Sequence, residues 1–563
     1  MKIICISIIS LFVIKAQAQL NPYNYNNTKI VKVNKAAVVS AHSLASDAGL
    51  QMLKKGGNAF DAAIATQLAL AVVYPGAGNL GGGGFLVAHT AKGKNIALDY
   101  REKAPARATR DMYLDSAKNP ITKLSMEGQL ASGVPGTVAG LFATLKYAKL
   151  PFKTLIAPAI KLAQFGFALT AAQAADFNNS KAVFLRNNKN PVAFVKNTAW
   201  QTGDTLIQTD LANTLKRIRD FGAKGFYEGQ TAALIVAEMN GGNGIISTND
   251  LKNYSVKERN ALQFSYNNVE VITMPLPSSG GIILEQLLKM TSQKKLSNFP
   301  FHSPESVQLI IEAERRAYAD RAEYMGDEDF VKVPVKTLVS DAYLQQRMQD
   351  YKPGIAGNSQ QTKEGQIKES EETTHLSVVD KDGNAVAVTT TLNGSYGSYA
   401  VVSGAGFLLN NEMDDFSVKP GAPNMYGAVG KAANAIAPGK RMLSSMTPTL
   451  VLKDSKPFIV VGTPGGTTIP TSVFQSLVNM LEFNMSAADA VNKPKFHHQW
   501  LPDEVFIEDD FPAAVTASLR AMGYKITNRG EIGRTELIYI THTPTMSITA
   551  IADKRGNDAA RGY

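Results

Sequence analysis

Apolar and polar positions alternate along the chain with two different periods. Residues 36–41 (AAVVSA) form a short apolar run of strand length. Residues 43–55 follow with helical spacing up to Gly56-Gly57, a pair that suits a helix C-terminus. Asn58 suits the cap of a second helix running to about Val73, Ala-rich and apolar on most faces, the pattern of a helix buried all round. Residues 81–84 are four consecutive glycines between this helix and a strand over 85–88. Glycine there allows positive φ or close backbone packing. The run lacks the Lys-Ser/Thr ending of a phosphate loop, so it predicts no nucleotide site. Residues 22–35, rich in Asn and Tyr, read as an irregular lead-in.

The middle of the chain, residues 150–351, reads as mainly helical. Its clearest amphipathic helix covers 304–324 (PESVQLIIEAERRAYADRAEY), with Pro at the start and Glu and Arg pairs that read as a solvated face. The periodicity then stops. Residues 352–372 have almost no large apolar side chains and are loaded with Gly, Ser, Gln, Lys and Glu, which predicts a mobile, poorly packed segment. Alternation resumes at once over 373–379, turns at Asp382-Gly383, and returns over 385–392 as a hairpin. A second hairpin is predicted from 448–452, a turn near Asp454-Ser455, and 458–461. Strands on both sides of helix-rich sequence predict an α+β layered architecture. No internal repeat is evident.

The N-terminus and composition narrow the class. Lys2, an apolar run over 3–14, and Ala16-Gln17-Ala18 form the pattern of a cleaved secretory signal over residues 1–18, which predicts a periplasmic or secreted protein. That run is short for a membrane span, and no later segment reaches about 18 uninterrupted apolar residues. The only cysteine, Cys5, lies inside the signal. The mature chain would thus lack disulfides, a thiol nucleophile and thiolate metal ligands. With 563 residues, 44% hydrophobic and 19% charged, the chain can bury a large core. Its formal charge of +10 is spread without a cluster of Lys and Arg among aromatics, which fits a solvated basic surface better than a nucleic-acid partner. His497-His498 are adjacent rather than at i, i+4, with no Glu or Cys at ligand spacing, so no metal or other cofactor is expected.

A polar tether that ends at a strand-opening threonine has two readings. One is a surface loop before an ordinary strand. The other is that the Glu372–Thr373 bond is broken. Thr373 would then carry a hydroxyl nucleophile and, in its own α-amine of reference pKa about 7.7–8.0, a base. Composition alone leaves both open.

The segment TTHLSVVD beginning at Thr373 resembles the start of the small subunit in the γ-glutamyltranspeptidase family. So do NNEMDDF (410–416), RMLSSM (441–446) and TPGG (463–466) in the second half, and LDYRE (98–102) and SGVPG (132–136) in the first. The resemblance implies a four-layer αββα sandwich, the N-terminal-nucleophile hydrolase fold, built by two intertwined subunits from one self-cleaving precursor. The large subunit would be residues 19–372 and the small catalytic one 373–563, paired as a heterodimer. It implies transfer of the γ-glutamyl group of glutathione or a related amide to an amino acid, a peptide or water. Thr373 would be the nucleophile and Thr391 its orienting partner. Gly465 and Gly466 would offer backbone N–H groups to the oxyanion. Arg101 would clamp the donor's α-carboxylate with Ser444 and Ser445, and Asn393, Glu412 and Asp415 would gather around its ammonium. Glu412 stands where some members carry Gln. Residues 420–440 resemble the lid loop of members with a covered pocket, with Tyr426 as the gating side chain. Two rivals stay open: a β-lactam side-chain acylase of the same superfamily, and an exported binding protein that never cleaves.

Overall fold

Every residue of the strands Ala37–Ser40, Thr374–Val379 and Ala385–Thr391 is buried. Strands that bury both faces belong inside a stack of layers. The computed structural model describes residues 20–362, 373–419, 421–422, 424–425 and 430–563. The predicted signal over 1–18 with Cys5, Glu372 at the expected cleavage point, and Tyr426 lie outside these described residues.

In chain order the central strands are β1 (Ile30–Val33), β2 (Ala37–Ser40), β3 (Gly83–His89), β4 (Asn95–Asp99), β5 (Lys257–Arg259), β6 (Leu262–Tyr266) and β7 (Val269–Thr273). Then come β8 (Thr374–Val379), β9 (Ala385–Thr391), β10 (Thr449–Lys453), β11 (Lys456–Gly462), β12 (Glu536–Thr541), β13 (Ser547–Ile551) and β14 (Ala559–Gly562). They form two seven-stranded antiparallel sheets, one ordered β14-β2-β8-β9-β3-β4-β5 and the other β1-β13-β12-β11-β10-β7-β6.

Alternation of side chains divides the core into three. Ala37, Val39, Phe85, Val87, Ala385 and Ala387 point inward and meet Ile272, Leu450, Val460, Ile538 and Ile548 of the other sheet. Their neighbours Val38, Leu86, Val378, Val386 and Val388 face outward onto the helices α1 (Ser43–Lys54) and α2 (Ala59–Val73). On the far side Val271, Val451, Ile459 and Val461 pack under α3 (Gly280–Gln293), α4 (Pro304–Tyr324) and α5 (Thr468–Leu481). The result is the expected αββα sandwich. Because both faces of β8 and β9 are committed, a one-residue slip would put each side chain in the wrong layer, so the register beside Thr373 is strongly specified.

The helix expected after Asn58 is as predicted: all of α2 is buried, and Asn58 Oδ1 accepts the N–H groups of Phe60 and Asp61 at 3.0 and 3.2 Å. Four expectations need correction. Residues 22–35 are not wholly irregular, because Ile30–Val33 pairs with β13. The helical middle also supplies β6 and β7, two strands of a core sheet. The Glu and Arg residues of α4 are not a solvated face: Glu312, Glu314, Arg315 and Arg316 are all buried, because α4 lies beneath the C-terminal part of the chain. The segment 352–372 is not poorly packed throughout: its described residues are mostly exposed, as expected, but one of them anchors it. Ser359 is fully buried, with its N–H on Asp503 Oδ2 at 2.8 Å and its carbonyl accepting from Trp500 Nε1 at 3.1 Å.

Candidate active site

The tight turn at Asp382-Gly383 closes the β8–β9 hairpin, with Gly383 at φ +92°. Pairing Thr374 with Thr390 sets Thr373 beside Thr391 at the open end of the hairpin. Thr373 is 4% exposed and Thr391 3%. The backbone turns sharply after β9: Thr391 Oγ1 accepts the N–H of Asn393 at 2.7 Å, and Asn393 takes φ +78°. Asn393 Nδ2 in turn donates to the Asn411 carbonyl at 3.0 Å, tying this corner to the NNEMDDF segment.

The four-glycine run is explained by close packing, not by positive φ. A Cβ on Gly82 would lie 2.1 Å from the Thr391 carbonyl oxygen, and one on Gly84 2.4 Å from that of Thr389. Any side chain there would push β3 off the strand that carries Thr391. Asn79 braces the same place, donating from Nδ2 to the Thr391 carbonyl at 2.9 Å while its Oδ1 accepts from Thr137 at 2.6 Å.

Arg101 follows β4 and is only 1% exposed. Its guanidinium meets Glu412 Oε2 at 2.5 Å, pairs with Asp415, and lies 3.6 Å from Glu102 Oε2. Two weaker contacts at 3.4 Å reach the carbonyls of Met442 and Leu443. Burial pushes the Glu102 carboxyl up to about 8 although Arg101 pulls it down. Burial likewise holds Glu412 well above the carboxylate range, and Asp415 is raised for the same reason. Burial works against the Arg101 charge, but Glu412, Asp415 and Glu102 together outweigh it and raise its pKa. Three acids around one guanidinium thus compete for a single buried cation.

Ser444 and Ser445 are fixed from the other side. The Ser444 carbonyl accepts from Ser279 N at 2.8 Å and Ser279 Oγ at 2.7 Å, and Ser444 N donates to the Pro277 carbonyl at 2.9 Å. Gly465 and Gly466 follow β11 and precede α5 with φ of +135° and +53°. Asn424 Nδ2 donates to Asp415 Oδ1 at 2.9 Å, and Met425 N donates to Asp414 Oδ2 at 2.6 Å, so the start of the expected lid is tied to the acidic segment.

One pocket is lined by Arg101, Thr373, Thr391, Asn393, Asp415, Ser444, Ser445 and Gly466, eight of the residues expected from sequence. Glu412 stands behind this wall on Arg101, and Gly465 adjoins Gly466 without lining the pocket. Arg321, Asn424 and Thr467 also line it and were missed. For Arg321 no sequence signal existed, since its i, i+4 surroundings match any surface helix. The histidine pair lies elsewhere in hydrogen bonds: His497 with Thr471 and Gln499, both at 2.9 Å, and His498 Nδ1 accepting from Trp500 N at 3.0 Å.

Known proteins resemble this chain in sequence and in fold. The sequence profile of the γ-glutamyltranspeptidase family matches residues 45–563. The chain is 44% identical over 539 residues to a glutathione hydrolase proenzyme of Escherichia coli, covering 95% of this chain and 93% of that one. It is 45% identical over 500 residues to a glutathione hydrolase proenzyme of Pseudomonas aeruginosa, covering 88% and 89%. Among solved structures, a cephalosporin acylase from Bacillus halodurans superposes with a TM-score of 0.84 at 25% identity, covering 98% and 99%. The γ-glutamyltranspeptidase of Helicobacter pylori is 46% identical with a TM-score of 0.56, covering 59% of this chain and 96% of that one. A hairpin that sets Thr373 beside Thr391 in a two-sheet sandwich and this degree of identity lead to one conclusion: the chain belongs to the γ-glutamyltranspeptidase family and is a γ-glutamyltransferase and glutathione hydrolase.

Proposed function

We propose that the chain is an exported precursor that cuts itself between Glu372 and Thr373 and then carries the γ-glutamyl group on Thr373. In maturation, the Thr373 hydroxyl oxygen attacks the Glu372 carbonyl carbon and the C–N bond breaks. The acyl group moves to oxygen as an ester, and the nitrogen becomes a free amine. Water then cleaves the ester, leaving a carboxylate on Glu372 and restoring the hydroxyl. Residues 19–372 and 373–563 become the two subunits.

In turnover the free α-amine of Thr373 takes the hydroxyl proton as oxygen attacks the γ-amide of the donor, and the leaving amine receives that proton. A γ-glutamyl ester remains, and an acceptor amine or water removes the acyl group. Thr391, whose oxygen is already fixed by Asn393 N, orients the nucleophile. Gly465 and Gly466 turn backbone N–H groups toward the oxyanion; one such donor is worth about 3–4 kcal/mol in the transition state.

The donor's amino-acid end is zwitterionic. Its α-carboxylate takes Arg101, with Ser444 and Ser445, and this exchange frees Asp415 and Glu412 to meet the ammonium together with Asn393. By its resemblance to the lid of members with a covered pocket, the 420–440 loop would limit water at the ester.

The observation that carries this reading is the meeting in one pocket of Thr373, Thr391 and Arg101 with the two serines and Asp415, drawn from distant parts of the chain. The acylase rival needs no ammonium site, which Asp415 and Asn393 supply.

Purified protein should give two bands on a denaturing gel, the smaller beginning at Thr373 by N-terminal sequencing. Thr373→Ala should stay a single chain, and cleavage at the same bond in that variant would overturn self-processing. Equal activity on γ-glutamyl anilide and on acyl anilides without an α-amino acid would overturn the substrate assignment.

A further inference from the structure

Arg321 lies near the end of α4 and lines the same pocket as Thr373. It is 7% exposed. Its Nη2 donates to Ser445 Oγ at 3.3 Å and its Nε donates to Ser279 Oγ at 3.1 Å. A guanidinium has donors only, so both hydroxyl oxygens must act as acceptors toward it. Each hydroxyl keeps one proton. The Ser279 proton goes to the Ser444 carbonyl at 2.7 Å, which fixes the backbone of the serine pair. The Ser445 proton is turned away from Arg321 and is left for an oxygen in the pocket. The positive charge of Arg321 also polarises that O–H and reaches Asp415, whose carboxyl it pulls downward against burial.

We propose that Arg321 is a positioning residue for substrate specificity: through Ser445 and Ser279 it sets the serine pair as hydrogen-bond donors to the donor's α-carboxylate. This rests on the γ-glutamyl reading of the pocket and adds a second guanidinium, behind the serines, to the one at Arg101. It also explains why a buried arginine on α4 points at a site built mostly by other segments.

The test compares L-γ-glutamyl-p-nitroanilide with 4-aminobutanoyl-p-nitroanilide, which lacks only the α-carboxylate. Arg321→Met should raise KM for the first substrate about tenfold, more than it lowers kcat, the scale of one hydrogen bond to a charged group. The second substrate should hardly respond, so the preference for the carboxylate falls about tenfold. Arg321→Lys keeps the charge but cannot reach both serines, and should lose part of the preference. Ser445→Ala should lower the preference as well, and adding Arg321→Met to it should cost little more. Equal losses on both substrates, or independent multiplication of the two substitutions, would reduce Arg321 to a structural role and overturn the proposal. If Arg321→Met fails to accumulate as soluble protein, Arg321→Lys decides: an unchanged preference overturns it. If the unsubstituted enzyme shows no preference, the γ-glutamyl reading fails instead.

Discussion

Replacing Arg101 by Met removes the cation shared by two buried acids and the partly exposed Asp415, and the cost should depend on pH. Arg101 is 1% exposed, and Glu412 and Glu102 are fully buried. Removing one partner of a buried ion pair costs about 3–5 kcal/mol when the other keeps its charge. The acids can escape part of that cost by taking protons. Burial already pushes Glu102 up to about 8 with Arg101 present, and Glu412 is held well above the usual range. Without the guanidinium both go higher. The sign follows from linkage. Above the ordinary carboxylate pKa the unfolded chain has released these protons, while the folded variant retains them, so its stability falls as pH rises. With Arg101 present Glu102 already keeps its proton to about pH 8, so parent and variant diverge only above it. The deficit should be about 1–3 kcal/mol near pH 5.5, the scale of a poorly satisfied neutral group, and grow by about 1 kcal/mol by pH 8.5. Urea unfolding followed by tryptophan fluorescence checks this, comparing Thr373→Ala with Thr373→Ala/Arg101→Met so that each sample is one chain. Adding Glu412→Gln should recover part of the deficit at pH 8.5. A deficit independent of pH, or larger at pH 5.5 than at 8.5, would refute the reasoning.

Other expectations are more direct. Gly466→Ala places a side chain at φ +53° beside the pocket and should lower kcat about a hundredfold with a smaller change in KM, measured on γ-glutamyl anilide. His375 is pushed down to about 3 and His498 to about 4 by burial, so both are folded in the neutral form. Their unfolded counterparts take protons below about 6.5, so stability should be lost as pH falls from there toward 4, by up to about 3 kcal/mol for each histidine. His375→Gln should flatten that acid limb in urea titrations between pH 7 and 4.5. Asp503→Ala removes the acceptor of Ser359 N and an ion-pair partner of Arg315, and should expose residues 352–362 to limited proteolysis at a rate several-fold above the parent protein.

Much of the site was legible because its needs are local. The polar stretch ending at Thr373, the Asp382-Gly383 turn and the returning strand place Thr373 and Thr391 together without any distant contact. The four glycines before Phe85 announced either positive φ or close packing, and Asn58 announced its helix. Pairings across the whole chain were another matter. The strand at 30–33 is recognisable only beside β13, more than 500 residues away, and nothing in its Lys-interrupted sequence marks it as an edge strand.

The charged residues divide along the same line. Arg101, Asp415 and the serine pair stood out through segments that resemble a known family, but which guanidinium each acceptor meets, Arg101 for Asp415 and Arg321 for Ser445, required the fold. Arg321 was read as part of a solvated helix face, since a row of Glu and Arg at i, i+4 spacing looks the same whether water or protein covers it. The chain itself determines where helices and strands begin, which strand opens with a threonine, and where glycine must stand. Tertiary structure alone decides which charged faces are covered, because burial depends on the neighbouring layer and not on the residues that bear the charge. Here that layer turned Arg321 from a surface side chain into a wall of the pocket that holds Thr373.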